Sequence, residues 1–130
     1  MEEKQRTRES FLAYLEVLRQ ERSDRPILRT MEILSGKWRI QLLYVLSQHE
    51  SCRFGELRRA VSGITPTMLT SSLRELEQQG IIRKERFNEV PPRVEYSLTP
   101  AGEDLLPVFY EIARWSKRHL PENNNRPTEP

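Results

Sequence analysis

Apolar residues recur at helical spacing along the first third of the chain and predict three helices. The first covers about residues 7–21 and has one apolar stripe, formed by Phe11, Tyr14, Leu15 and Leu18. A short second helix over residues 26–34 can be capped by Ser23 or Asp24, with a proline in its first position. The third, over residues 37–48, is apolar around most of its circumference, which is typical of a buried helix.

The middle of the chain carries the clearest helix limits. A short helix over residues 54–61 is followed by a tight Ser-Gly-Ile-Thr turn. A longer helix over residues 66–79 begins after Thr65, a favoured N-cap residue, with Pro66 in its first position. Gly80 suits the left-handed position that ends such a helix. The two helices and their turn therefore predict a helix-turn-helix.

Two short strands, residues 81–87 and 93–98, follow this pair of helices and are joined by the segment NEVPP. Apolar and polar side chains alternate along the second strand, so that one side carries Val94, Tyr96 and Leu98. Pro91 and Pro92 fall at the tip or at the start of the returning strand, where a missing N–H costs no ladder hydrogen bond. The segment therefore predicts a hairpin with a stiff tip.

A final helix over residues 100–120 begins after Thr99, and its apolar side carries Leu105, Val108, Phe109, Ile112 and Trp115. The order of elements predicts a mainly α fold with a small two-stranded β-wing, the winged helix-turn-helix. We divide the chain accordingly into an N-terminal amphipathic dimerisation helix, a DNA-binding core, a C-terminal dimerisation helix and a disordered tail. Their ranges are 1–24, 25–99, 100–120 and 121–130.

The helix over residues 66–79 is expected to lie in the DNA major groove. At about 100° per residue, its leucines gather on one side. The opposite side carries groups of the kinds that contact base edges and phosphates, namely Thr67, Thr70, Ser71, Arg74 and Gln78. Arg74 is the best candidate for a guanine contact. Lys37 and Arg53 are candidate phosphate contacts, and Arg93 is placed to reach a minor groove or its flanking phosphates.

Composition favours one soluble domain without catalytic chemistry. The chain has 130 residues and a mass of 15.4 kDa, with 36% hydrophobic and 31% charged residues. Its N-terminus lacks the apolar region of a secretory signal, so a cytoplasmic location is expected. One cysteine and two histidines provide neither an intrachain disulfide nor a zinc ligand set, and no phosphate-binding glycine loop is present. We therefore expect no cofactor, no metal site and no enzymatic activity.

The net charge of +2 permits nucleic-acid binding without requiring it. Phosphate binding therefore depends on how the fold sorts basic and acidic side chains onto different faces. A winged-helix module that binds protein is the main alternative, because a fold does not fix its partner. Such a module is expected to carry apolar or acidic residues on the exposed side of the helix over residues 66–79, which is not the composition found here.

Four motifs occur in succession: SGKW at 35–38, RFGEL at 53–57, ITPTMLTSSLRELEQQGII at 64–82 and EVPPRVEYSLTPAG at 89–102. Together they resemble the HxlR-type winged-helix transcriptional regulators, a prokaryotic group related in fold to the MarR regulators. The resemblance covers about Pro26 to Leu120. It implies a homodimer that binds double-stranded DNA at a palindromic operator, with terminal helices packed across the two-fold axis. The apolar residues expected at that interface are Phe11, Leu15, Leu18, Phe109, Ile112 and Trp115; the alternative is that these stripes pack within the core of a single chain.

The chain departs from the HxlR-type pattern ahead of the GKW motif. Family members commonly carry a Cys-Pro pair there, and in some of them the cysteine senses electrophiles or oxidants. Arg25 and Pro26 occupy these positions here, so the resemblance does not imply that role. Cys52 lies beside Arg53, whose guanidinium would lower the thiol pKa and make it a possible redox site. The alternative is a lone thiol without a regulatory role, and no effector or ligand pocket is predicted.

Overall fold

The computed structural model describes residues 2–21 and 25–122. The chain divides into a first unit that ends at Ile33 and a second unit that begins at Leu34. The predicted caps Ser23 and Asp24 and all but the first two residues of the predicted tail lie outside the described residues. Within the part of the chain that the structure describes, no helix is both long enough and apolar enough to cross a membrane.

The first unit contains α1 (Glu2–Gln20) and most of α2 (Pro26–Leu34). The bounds of α2 are those predicted, whereas α1 begins five residues before the predicted Thr7. Acidic residues in its first turn favour a helix N-terminus, and the Thr7 hydroxyl donates to the Glu3 carbonyl at 2.9 Å. These first turns carry no apolar stripe, so the hydrophobic pattern could not reveal them.

The second unit contains five helices and three strands among its described residues. They are α3 (Arg39–Leu46), β1 (Cys52–Arg53), α4 (Phe54–Ala60), α5 (Pro66–Gln78), β2 (Ile82–Phe87), β3 (Arg93–Leu98), α6 (Pro100–Glu103) and α7 (Leu106–His119). Leucines from three helices form the centre of the core: Leu42, Leu43 and Leu46 of α3, Leu57 of α4, and Leu69, Leu73 and Leu76 of α5. Ile82 and Tyr96 extend this core to the sheet. The predicted helix-turn-helix and hairpin are therefore confirmed.

The sheet has three strands, where the sequence predicted two. Antiparallel pairing gives the order β1-β3-β2, so that β3 is central and its Tyr96 faces Cys52 on one side and Lys84 on the other. β1 is only two residues long, which is too short to produce an alternating pattern. The hairpin of β2 and β3, with its connecting loop, is the wing.

The predicted last helix is divided into α6 and α7. Asp104 and Leu105 separate them, and the Leu105 N–H donates to the Gly102 carbonyl at 3.1 Å in a tighter turn. Pro107 accounts for the division, because it has no N–H to donate to the Glu103 carbonyl and its ring would clash with that group. Proline is well placed instead in the first turn of α7.

Candidate nucleic-acid interface

Both ends of α5 are fixed by local hydrogen bonds. At its start, the Thr65 hydroxyl accepts the Met68 N–H at 3.1 Å, and Pro66 occupies the first position as predicted. At its end, Gly80 adopts φ +74°, and the Ile81 N–H donates to the Leu76 carbonyl at 3.0 Å. This is a Schellman motif, in which a left-handed glycine satisfies the last carbonyls of a helix. The predicted N-cap and C-terminal glycine are both confirmed.

The two sides of α5 are as different as its sequence predicts. Leu69, Leu73 and Leu76 are at most 2% exposed. All five predicted contact residues lie on the exposed side: Thr67, Thr70, Ser71, Arg74 and Gln78. The first four of these, with Pro66, line a shallow concavity of about 390 Å³. Arg74 forms no ion pair with any described residue, so its guanidinium is available to a ligand.

Two acidic residues flank this side of α5: Glu77 is exposed, whereas Glu75 is neutralised within the protein. Glu75 forms an ion pair and hydrogen bond with the guanidinium of Arg39, at the start of α3. The Arg39 side chain is 21% exposed and that of Glu75 47%, so only the arginine side of the pair is shielded from water. The charge of Glu75 is consequently directed towards α3, and the exposed side of α5 presents no unpaired carboxylate at that position.

The turn between α4 and α5 depends on a glycine. Gly63 adopts φ +84°, a backbone conformation that residues other than glycine rarely adopt. A Cβ at this position would lie 3.7 Å from the Trp38 ring. The two candidate phosphate contacts both precede this turn in the sequence. Arg53 is exposed at the N-cap of α4, where its N–H donates to Glu56 at 3.0 Å, and Lys37 is exposed with its ammonium 4.7 Å from the centre of the Trp38 ring.

Arg93 does not extend from the wing into solvent. Its side chain is 26% exposed, and its guanidinium carbon lies 4.1 Å from the centre of the Phe87 ring. Glu89 and Glu95 both form ion pairs with it, at 3.3 Å and 3.6 Å. Sequence reasoning placed Arg93 on the wing correctly but did not foresee these contacts; Glu89 and Glu95 are close to it in the sequence, whereas Phe87 is brought to it by the hairpin register.

Three cations of β2, Arg83, Lys84 and Arg86, are exposed and were not predicted as contacts; Lys84 and Arg86 lie on one face of the strand and Arg83 on the other. Lys84 and Arg86 are exposed, and neither forms an ion pair within residues 2–21 and 25–122. They share one face of β2 with the buried Ile82, because side chains alternate along a strand. That alternation was available in the sequence IRKERF, but it does not show which face of the strand meets a ligand.

Comparison with known proteins decides the family. The family model for the HxlR-like helix-turn-helix matches residues 33–124, more than half of the chain. The chain belongs to the HxlR-like helix-turn-helix family. The resemblance found in the four sequence motifs is thereby confirmed, and the protein is a DNA-binding transcriptional regulator with a MarR-like fold.

Relatives of this HxlR-like regulator cover most of its length. An uncharacterized HTH-type transcriptional regulator of Halalkalibacterium halodurans is 38% identical over 101 residues, which are 78% of this chain and 88% of that protein. A candidate MarR-family regulator from Porphyromonas gingivalis has a crystal structure with a TM-score of 0.67 and 43% identity, covering 75% of this chain and 97% of that one. The redox regulator HypR in its reduced form gives a TM-score of 0.66 and 41% identity, covering 72% and 91%. The family is one of transcriptional regulators and not of enzymes.

Cys52 of this HxlR-like regulator is not an activated thiol. It is 3% exposed, and burial, followed by the nearby charge of Glu56, raises its pKa above the ordinary value. The expectation that Arg53 would lower this pKa is therefore wrong. Arg53 follows directly in the sequence, but successive residues of a strand point to opposite faces, so its side chain extends into water while Cys52 faces Tyr96.

The terminal helices of the HxlR-like regulator expose apolar side chains. In α1, Phe11 is 47% exposed, and Leu15 and Leu18 are half-buried. In α7, Ile112 and Trp115 are 52% and 57% exposed, and Phe109 is half-buried. All six residues predicted for a dimer interface therefore lie at the surface of a single chain, where a partner has access to them.

Proposed function

We propose that this regulator binds an inverted-repeat operator as a homodimer, with α5 of each subunit in the major groove. The observation that carries the proposal is the exposed side of α5, which presents hydroxyl, amide and guanidinium groups while Glu75 is paired with Arg39. A helix side with this chemistry suits base edges and phosphates. It does not suit an apolar or basic protein surface, which is what the alternative of a protein-binding module requires.

Arg74 is assigned to base contacts. It is exposed, carries no ion pair with described residues and has the planar fork that contacts guanine O6 and N7 together. Thr67, Thr70 and Ser71 are assigned to neighbouring bases and phosphates, and Gln78 to the flank of the same groove. Lys37 and Arg53 are assigned to phosphates.

Dimerisation is assigned to the apolar surfaces of α1 and α7. Exposed aromatic and aliphatic side chains such as Phe11, Ile112 and Trp115 are costly in water and favour association. A two-fold dimer then presents two α5 helices to half-sites about 34 Å apart, roughly one DNA turn. Light scattering should give twice the chain mass of 15.4 kDa at micromolar concentration, and a mass equal to that of one chain would contradict the dimer.

The test of base contact compares Arg74→Ala with Arg74→Lys on an operator selected from random DNA. Alanine should weaken operator binding by about 1–3 kcal/mol and reduce the preference for one base pair. Lysine keeps the charge but not the fork, so it should restore phosphate attraction without restoring base preference. Binding is measured by fluorescence anisotropy against the operator and its single-base variants at two salt concentrations. Equal base preference in the parent and in Arg74→Ala would refute the assignment.

A further inference from the structure

Arg93 is held by three side chains of the wing. The aromatic ring of Phe87 covers one face of its guanidinium at 4.1 Å, while Glu89 and Glu95 lie within ion-pair distance of its nitrogens. Its Nε is buried and makes no hydrogen bond to any described residue, with the Glu95 carboxylate 3.6 Å away. A planar cation stacked on a ring between two carboxylates is a structural contact, since both its charge and its face are already used.

These partners connect the tip of the wing to its base. Phe87 and Arg93 are the last facing pair of β2 and β3, and Glu89 belongs to the loop, where its N–H donates to the Phe87 carbonyl at 2.9 Å. Glu95 lies on the same face of β3 as Arg93 and also accepts a hydrogen bond from the Ser51 hydroxyl at 3.1 Å. One guanidinium therefore ties the loop, the end of the ladder and the segment before β1 together.

A direct DNA contact by Arg93 would undo this arrangement. The guanidinium would have to leave the Phe87 ring, and two carboxylates would remain unpaired beside the phosphates, where like charges repel. Lys84 and Arg86, by contrast, are exposed and have no ion pair among the described residues to break. Their charges are available to DNA without any rearrangement of the wing.

We propose that Arg93 is a positioning residue that holds the tip of the wing in place, while Lys84 and Arg86 supply the wing's contacts to DNA phosphates. The second part rests on the proposed function. The first part concerns the free protein and is independent of it. Replacing Arg93 should therefore loosen the wing before any DNA is present.

Hydrogen exchange of the free protein tests the positioning role. Amides of residues 86–90, 93 and 94 should exchange about three- to tenfold faster in Arg93→Ala than in the parent, the range expected for losing a ring contact and two partly exposed ion pairs. Arg83→Ala is the matched control, since it removes an exposed arginine of the same hairpin that has no ion pair among the described residues. Arg93→Lys should rescue only part of the protection. Equal exchange in Arg93→Ala and in the parent would overturn the positioning role.

The salt dependence of DNA binding separates positioning from phosphate contact. Each phosphate contact contributes about 0.9 to the slope of log K against log salt. Lys84→Ala should lower the slope by about that amount, whereas Arg93→Ala should weaken binding at every salt concentration and leave the slope unchanged. A slope lowered by Arg93→Ala as much as by Lys84→Ala would overturn the proposal.

Two glutamate variants that remove the same charge should differ in their effect on DNA binding. Glu85→Gln removes an exposed carboxylate that has no ion pair among the described residues, so it should strengthen DNA binding by reducing repulsion. Glu89→Gln removes the same charge but also a partner of Arg93, so it should bind less tightly than Glu85→Gln and exchange faster in the wing. If Glu89→Gln bound DNA more tightly than Glu85→Gln, a freed Arg93 would contact DNA and the proposal would be refuted. A parent that binds no DNA would refute the phosphate role and the proposed function, while the exchange measurement would still decide the positioning role.

Discussion

Gly102→Ala should destabilise this protein although it replaces a glycine within a helix. Gly102 lies buried in α6, and a Cβ on it would overlap the carbonyl oxygen of Ile81 and lie 3.1 Å from Leu98 Cδ2. The obstructing oxygen cannot move freely, because it accepts the Thr99 N–H at 3.0 Å. The absent side chain is thus what allows α6 to lie against the backbone between α5 and β2.

The expected magnitude follows from two opposing effects. Overfilling a packed site costs about 1–3 kcal/mol, and the upper half applies here because the clash is with backbone. Removing a glycine from a helix returns about 0.5–1 kcal/mol. The net loss is about 1–2.5 kcal/mol, which for a unit of this size lowers Tm by about 4–20 °C.

Gly55→Ala is the matched control. Gly55 lies in α4 and is exposed, and the nearest atom to a Cβ there is an Arg59 nitrogen at 3.5 Å, an ordinary contact. This variant should be stabilised by about 0.5–1 kcal/mol. Both are compared with the parent by thermal and urea unfolding at one protein concentration, since the proposed dimerisation would make Tm concentration-dependent. A Gly102→Ala protein as stable as the parent would refute the close approach of α6 to Ile81.

Two further predictions concern the start of α5 and the buried thiol. Thr65→Ala should cost about 1 kcal/mol in urea unfolding because the Met68 N–H loses its acceptor, while Thr65→Ser should retain most of the parent's stability; equal losses in both would contradict the cap. Because Cys52 is buried, it should react with iodoacetamide at least about tenfold more slowly in the folded protein than in urea. The unfolded thiol ionises at about pH 8.5, whereas the raised pKa of Cys52 keeps the folded thiol protonated at that pH. The free energy of unfolding should therefore fall as pH rises through about 8.5, because ionisation stabilises the unfolded state. Cys52→Ala should make the free energy of unfolding less dependent on pH in this range.

The elements that sequence reasoning predicted well are those whose limits are encoded locally. Thr65, Pro66 and Gly80 each act on their own few residues, so the bounds of α5 were correct to within one residue. The division between α6 and α7 was also encoded locally, in Pro107, but the apolar stripe continues across it and concealed it. β1 could not have been found, since a two-residue strand exists only through its pairing with β3.

The chemistry of individual side chains was predicted less well, for a physical reason. The partner of a charge is set by tertiary structure, and Arg39 and Glu75 meet although they are 36 positions apart. The same holds for Cys52, where the sequence neighbour Arg53 proved irrelevant and burial determined the direction of the pKa shift. Which residues α5 exposes followed from helix periodicity, whereas which exposed charges remain unpaired required the fold.

Thr99 connects the proposed DNA-contacting and dimerising parts of the second unit. Its hydroxyl lies 2.5 Å from the Gly80 carbonyl and 3.0 Å from that of Ile81, and it accepts the Gly102 N–H at 3.2 Å. The end of α5, the start of β2 and the start of α6 are thus fixed around one side chain. α7, which is assigned to the proposed dimer interface, follows α6 after two residues. The angle between α5 and α6 at Thr99 therefore contributes to the separation of the two α5 helices in that dimer. Because half-site spacing depends on that separation, a change that displaces α6 from Ile81 should weaken operator binding by more than the lost stability alone explains.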